Sequence, residues 1–315
     1  MKSRFKIAIG IATAGRRGIL TEALRELSRQ TLLPDIVFVC PAAETDCDAA
    51  EAENLPYPLI VIKGPRGLPA QRNAILDVAR DFTILVFFDD DFFAFPSYLA
   101  EVELCFAAEP TVVAMSGHVI ADGIGGPGLS VAAARAALAA FEQPAVDQPL
   151  MDQYNAYGCN MALRLAPVHG HGLRFDENLP LYGWLEDVDF CRRLSSYGRI
   201  VRNERTVGVH LGSKRGRTSG VHFGYSQIAN PIYLWRKGTL RIDVALGQMS
   251  RNLLANLANA IRAEPWIDRR GRVLGNALGL FDLFLGRLHP RRAQHPRLEK
   301  PRLENALLGE EDRPH

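Results

Sequence analysis

The chain has 315 residues, 47% of them hydrophobic and 23% charged, with a formal net charge of +2. That length supports a substantial buried core, and the near-neutral balance gives no electrostatic case for nucleic acid as a partner. Its five cysteines (Cys40, Cys47, Cys105, Cys159 and Cys191) are scattered without a C-x-x-C pair, which argues against a disulfide framework or a zinc site and fits a reducing compartment.

Met1-Lys2-Ser3-Arg4 leads straight into a first strand over residues 5–12, so no signal peptide is expected. A helix follows over 17–30, with Ile19, Leu20, Ala23, Leu24 and Leu27 on one face. Strands are predicted at 36–40, 59–62, 82–88 and 111–119, with helices at 69–80 and 96–108 between them. The stretch 44–53 reads as a loop with a helical turn. Alternation of this kind predicts a parallel, Rossmann-like sheet over the first ~120 residues. Beyond it lie a glycine-rich stretch at 122–128, an alanine-rich helix at 130–141, a connection at 143–153 and a strand at 161–163. A helix over 184–197 is expected to close at Gly198, followed by short strands at 200–201 and 207–209. Residues 212–220 lack apolar anchors and read as a mobile loop, 225 onward is helical, and the proline-rich end from 291 reads as a disordered tail. No stretch reaches the roughly 18 apolar residues that span a bilayer, so a cytoplasmic protein is expected, able to rest on the inner face of a membrane.

Two acidic clusters carry the chemistry. Asp89, Asp90 and Asp91 follow directly on the apolar run Phe82–Phe88, and the carboxyl edge of a buried strand is where open α/β sheets bind ligands. Three adjacent carboxylates repel unless a cation compensates them, and hard oxygen ligands favour Mg²⁺ or Mn²⁺. The second cluster, Trp184-Leu185-Glu186-Asp187, opens a helix whose dipole keeps a carboxylate ionised and able to act as general base.

Taken with Thr13-Ala14-Gly15-Arg16, Ala70-Gln71-Arg72-Asn73-Ala74, Gly158-Cys159-Asn160-Met161-Ala162 and Val209-His210, these clusters resemble, in order and spacing, the family 2 glycosyltransferases. Those are inverting enzymes of the α/β GT-A fold, and the resemblance covers residues 5 to about 215. It departs at the first motif, where relatives often carry Thr-Tyr-Asn-Arg. It implies a nucleotide-sugar donor, most readily a UDP-sugar, lying across the sheet edge near Thr13, Arg16, Arg72, Asp89 and Asp90. Asn73 is placed to brace the loop there. It further implies Asp91 as direct metal ligand, with Asp89 on ribose or metal-bound water and His210 completing the shell. Asp187 is implied as the base and Glu186 as acceptor contact, with the reverse assignment open. Trp184 and Asn160 are expected near the acceptor, Met161 reads as packing, and Lys214 and Arg215 are expected in a lid over the diphosphate. A carboxylate after the second strand, Glu44 or Asp46, is the candidate for the base of the nucleotide. The acceptor is expected to be a glycan or lipid-linked sugar in surface polysaccharide synthesis.

Competing readings are weaker. Phosphatases of the haloacid dehalogenase type place Asp-x-Asp at the first strand, nucleotidyltransferases expect a Gly-rich first loop, and a non-catalytic sugar-nucleotide binder has no use for the second acid. The expected organisation is a catalytic domain over 1–222 and a helical extension over 223–290. The extension mixes apolar residues (Leu254, Leu257, Ile261, Phe281, Phe284) with Arg241, Arg251, Arg262, Arg270 and Arg287, a pattern that suits an anionic membrane surface, packing on the catalytic domain, or a homo-oligomer.

Overall fold

The computed structural model describes residues 5–47, 54–143, 149–216, 219–261 and 264–294. The predicted disordered tail therefore falls outside the described residues from 295 onward. Residues 290–294 form a 3-10 turn with Pro290 and Ala293 buried, so the described start of the stretch expected to be disordered is folded.

Nine strands form one sheet among these residues. β1 (Ile7–Thr13), β2 (Ile36–Pro41), β3 (Leu59–Val61) and β4 (Ile84–Asp89) run parallel in the order β3-β2-β1-β4. They are linked by α1 (Arg17–Leu27) and α2 (Leu68–Val78). β1 and β4 are buried almost throughout, as continuous apolar runs must be when both sheet faces are covered.

The expectation of a parallel sheet fails at the next position. The strand predicted at 111–119 is β6 (Val112–Asp122), which does not pair with β4. Between them lies antiparallel β8 (Asn160–Arg164), whose first four residues are all buried and suit a central place. β5 (Phe92–Ala94), which propensity did not mark, turns back from β4. It pairs antiparallel with β9 (Arg199–His210), and β7 (Met151–Asp152) also pairs with β9. The two short strands expected near 200 and 207 are parts of β9, which runs parallel to β6 with register shifts. Helices α3 (Tyr98–Ala108), α4 (Val131–Ala140), α5 (Leu165–Gly170) and α6 (Glu186–Leu194) complete this layer. Gly198 is not a left-handed cap: its φ of 162° is extended. A Cβ there would meet the Thr111 carbonyl oxygen at 2.4 Å, and this close approach is what demands glycine.

Three further helices, α7 (Gly220–Lys237), α8 (Ile242–Asn259) and α9 (Arg269–Phe284), form a bundle with its own apolar cluster around Tyr225, Ile228, Ile232 and Met249. α7 and α9 touch backbone to backbone. A Cβ on Gly224 would lie 2.2 Å from the Arg272 oxygen, and one on Gly275 would lie 2.1 Å from that of Val221. The bundle seats on the sheet layer through Leu234, Leu240 and Ala245, which pack with Leu179, Leu185 and Val188.

Candidate active site

Three strand ends meet at one point. The register places Phe92 of β5 beside His210 of β9, and Asp122 of β6 beside the same histidine. β4 ends in Asp89, and the turn into β5 carries Asp90 and Asp91. One ligand atom from each of Asp89, Asp91 and His210 falls within 4.8 Å of the others. His210 Nε2 lies 3.3 Å from Asp91 Oδ1 and 3.8 Å from Asp89 Oδ2, while Nδ1 is held 2.9 Å from Asp122 Oδ1. Asp122 also accepts hydrogen bonds from the Tyr157 hydroxyl at 3.1 Å and the Ile124 amide at 2.9 Å.

Charge in this cluster is strongly perturbed. Burial disfavours a charged imidazole, yet contact with Asp122 and Asp91 pushes His210 up to about 10. Burial also opposes ionisation of Asp91, and His210, Arg16 and the Ser213 amide together bring it down to about 2. Two carboxylates and the imidazole nitrogen, once its proton has left, form an oxygen-rich donor set for a divalent cation. Asp91 Oδ1 is buried without a well-formed hydrogen bond among the described residues, so a coordination position is open to an ion. The residues fit a Mn²⁺ or Mg²⁺ centre.

Asp90 faces the other way. It accepts from Thr13 Oγ1 at 2.7 Å and Arg16 Nη1 at 2.8 Å, and burial pushes it up to about 6. Thr13 and Arg16 are thereby fixed at the carboxyl end of β1. Of the acids after β2, Asp46 accepts from the Gly15 and Ala43 amides, whereas Glu44 is exposed and 3.6 Å from Lys63. Asn73 donates to the Phe175 carbonyl and Glu177, bracing the loop as expected. Asn160, at the start of β8 beside Phe88 of β4, is fully buried and does not line the cavity described below. Met161 is buried beside Cys191 Sγ, 3.7 Å from its sulfur.

The loop expected to be mobile is anchored over its described part. The Ser213 amide donates to Asp91 at 2.7 Å, Lys214 Nζ donates to the Gly123 and Ile124 carbonyls, and the Arg215 carbonyl accepts from Arg16 Nε at 2.8 Å. Lys214 thus ties this loop to the β6–α4 connection, and Arg217 lies outside the described residues.

Asp89 of the first acidic cluster and Glu186 and Asp187 of the second line one cavity of about 480 Å³. Arg72, buried to 2% exposure, joins the clusters by pairing with Glu186, lying 3.3 Å from Asp89 Oδ1, and donating to the Gly158 carbonyl at 2.7 Å. Glu186 is consumed by Arg72. Asp187 makes no such ion pair; it accepts from the Gly158 amide at 3.0 Å and the Val188 amide at 2.8 Å. Burial raises both carboxyls, and the Arg72 charge resists this. The preceding loop holds Leu181 (φ 61°), Gly183 (φ 63°) and Leu185 (φ 73°) in left-handed conformations. For the two leucines this costs roughly 1–2 kcal/mol each, strain of the kind that concentrates at functional sites. Trp184 lines the cavity, and its carbonyl is held by Asn230 of α7 at 2.8 Å.

Sequence reasoning missed Asp122, whose signal was an acid closing a strand beside the one that ends in His210. It also missed Gln71, which donates to the Thr13 and Cys40 carbonyls and binds the ends of β1 and β2 together.

No family model matches the sequence, and no curated protein matches it. Solved structures do. The mannosyltransferase PcManGT from Pyrobaculum calidifontis, in complex with GDP-Man and Mn²⁺, superposes with a TM-score of 0.53 at 15% identity, over 89% of this chain and 88% of that one. TarS of S. aureus gives 0.50 at 14% identity, over 86% of this chain and 55% of TarS. GalNAc-T7 with UDP, GalNAc and Mn²⁺ gives 0.52 at 11% identity, over 90% and 57%. The chain therefore spans little more than half of TarS and GalNAc-T7. The class defined by this architecture is the GT-A glycosyltransferase fold: a mixed sheet flanked by helices.

Proposed function

We propose that this chain is a metal-dependent, inverting glycosyltransferase of the family 2 type, moving a sugar from a nucleotide-diphosphate donor to a hydroxyl of a glycan or lipid-linked acceptor. A UDP-sugar is the preferred donor. The observation that carries the reading is that Asp89, one member of the Asp89–Asp91–His210 donor set, lines the same cavity as the Asp187 carboxylate. A cation held by Asp91, His210 and Asp89 would supply Lewis-acid neutralisation of the diphosphate. Thr13 and Arg16, fixed by Asp90, flank the nucleotide end. Arg72 keeps a positive charge between the clusters, beside the departing phosphate. Asp187, which accepts two backbone amides and makes no arginine ion pair among the described residues, takes the proton of the acceptor hydroxyl as its oxygen bonds the anomeric carbon. The bond from that carbon to the phosphate oxygen breaks, the electron pair leaves with the nucleoside diphosphate, and configuration inverts. Glu186, locked to Arg72, positions the loop. The basic outer face of α8 and α9 is assigned to an anionic membrane surface.

Screening nucleotides for thermal stabilisation tests this. UDP or GDP with Mn²⁺ at a hundredfold excess over Kd is expected to add about 2.7 kcal/mol, and the effect should vanish with EDTA. Asp187→Asn should retain that stabilisation while turnover of the stabilising nucleotide-sugar falls by about 10²–10⁴-fold. Stabilisation without metal, or full turnover in Asp187→Asn, would remove the reading.

A further inference from the structure

The cavity does not end at the catalytic layer. Beyond Trp184 its wall is made by Phe223 and Gln227 of α7, Gln248 and Asn252 of α8, and Arg272 of α9. From these we infer that the helical bundle forms the acceptor subsite and recognises a neutral sugar ring. The inference rests on the glycosyltransferase reading and adds to it the identity of the acceptor-binding residues.

Gln227 is only 2% exposed. Its Oε1 accepts from Asn256 Nδ2 at 2.8 Å and Asn276 Nδ2 at 3.3 Å, and Asn256 and Asn276 are tied to each other at 2.9 Å. Two amide donors on one oxygen fix the orientation of the Gln227 side chain, so its Nε2 is the group left over, with no protein acceptor among the described residues. Gln248 brings the complement: its Oε1 is buried with no hydrogen-bond partner among the described residues. A donor on the buried Gln227 and a buried acceptor on Gln248, both on the cavity wall, match a hydroxyl, which both gives and accepts a hydrogen bond. A phosphate would use only the donor.

The rest of the wall agrees. Trp184 and Tyr182 stand edge-on to Phe223, with ring centroids 6.0 and 5.9 Å away, giving an apolar surface for the C–H face of a sugar. The charges disfavour an anion. Asp89, Glu186 and Asp187 line the cavity against Arg72, which is spent on Glu186, and Arg272, which lies over the Phe223 ring at 4.5 Å.

The test uses the full chain. Methyl glycosides of glucose, galactose, mannose and N-acetylglucosamine, and glucose 1-phosphate, are titrated by saturation-transfer NMR, and UDP and GDP with Mn²⁺ are titrated separately by calorimetry. At least one neutral glycoside should bind, and Gln248→Leu and Asn252→Leu should each weaken it about tenfold while nucleotide affinity stays within twofold. The inference is overturned by no binding of any neutral glycoside, by unchanged affinity in both variants, or by tighter binding of glucose 1-phosphate. Absence of nucleotide binding instead overturns the glycosyltransferase reading, and the sugar titrations report independently of it.

Discussion

Asp122 touches no donor atom of the candidate metal set except through His210, yet it decides what that histidine can do. With Nδ1 held at 2.9 Å by the carboxylate, Nε2 is the nitrogen turned toward Asp89 and Asp91. Outer carboxylates of this kind fix ring orientation and tautomer, and their loss typically costs 10–100-fold in metal affinity. Asp122→Asn is therefore expected to weaken Mn²⁺ binding in the presence of UDP by about that factor, read by electron paramagnetic resonance of free Mn²⁺, with the melting temperature little changed. Unaltered affinity would make Asp122 a mere strand end. The sequence exposed the residues at this centre unevenly. Asp89 and Asp91 follow an apolar run and His210 follows a β-branched one, so each announces a strand end. Asp122 lies three residues past the expected end of its strand, next to Gly123, Gly125 and Gly126, and so read as loop. The amides Gln227 and Gln248 were silent for another reason: an amide on an amphipathic helix looks the same whether it faces solvent or a cavity.

At the scale of elements, the bundle is fastened to the catalytic layer by charge as well as by apolar contact. Lys237 at the end of α7 donates to Asp176 at 2.6 Å and to Asp189 of α6 at 2.9 Å, and Tyr233 donates to Asp176 at 2.8 Å. Burial works against ionising Asp176, but Lys237, the Asn178 amide and Tyr233 together lower it from 3.8 to about 2. A carboxyl lowered in the folded state stabilises the fold above its unfolded value and loses that contribution as pH falls through the folded value. Wild type should therefore exceed Asp176→Asn by about 2 kcal/mol at neutral pH. The gap should close between pH 3.8 and about 2, followed by urea unfolding at each pH. A gap independent of pH would mean that Asp176 acts by packing alone. This docking could not be read in advance, because lysine at a helix end is equally a solvated cap. The same limit applied to β8: its apolar run fixed a buried strand, but its antiparallel insertion between β4 and β6 depends on pairing that period-2 alternation does not encode.

Over the whole molecule, the bundle lines the cavity with some side chains and leaves large apolar ones exposed elsewhere. Leu254 (65% exposed), Ile261 (87%) and Phe284 (88%) project from α8, its end and α9, with Leu257, Leu274 and Phe281 also exposed. Arg251, Arg270, Arg287 and Arg291 are exposed on the same segments, and Arg287 lies over the Phe281 ring at 5.6 Å. None of the helices among the described residues is long and apolar enough to cross a membrane, so an anionic lipid surface would be met side-on. Each arginine near such a surface contributes about 1 kcal/mol, an attraction that shortens with the Debye length as salt rises. The chain is accordingly expected to co-sediment with phosphatidylcholine vesicles containing phosphatidylglycerol at low salt, and to be released as salt increases. Arg251→Glu with Arg287→Glu should lower binding severalfold, and Leu254→Asp with Phe284→Asp should abolish it even at low salt, because charge attracts the protein but apolar burial retains it. Nucleotide binding, measured on the same variants, should be unaffected, since none of these side chains lines the cavity. Equal sedimentation of wild type and both variants would free this face from the lipid assignment and leave a second copy of the chain as the partner to examine by concentration-dependent mass.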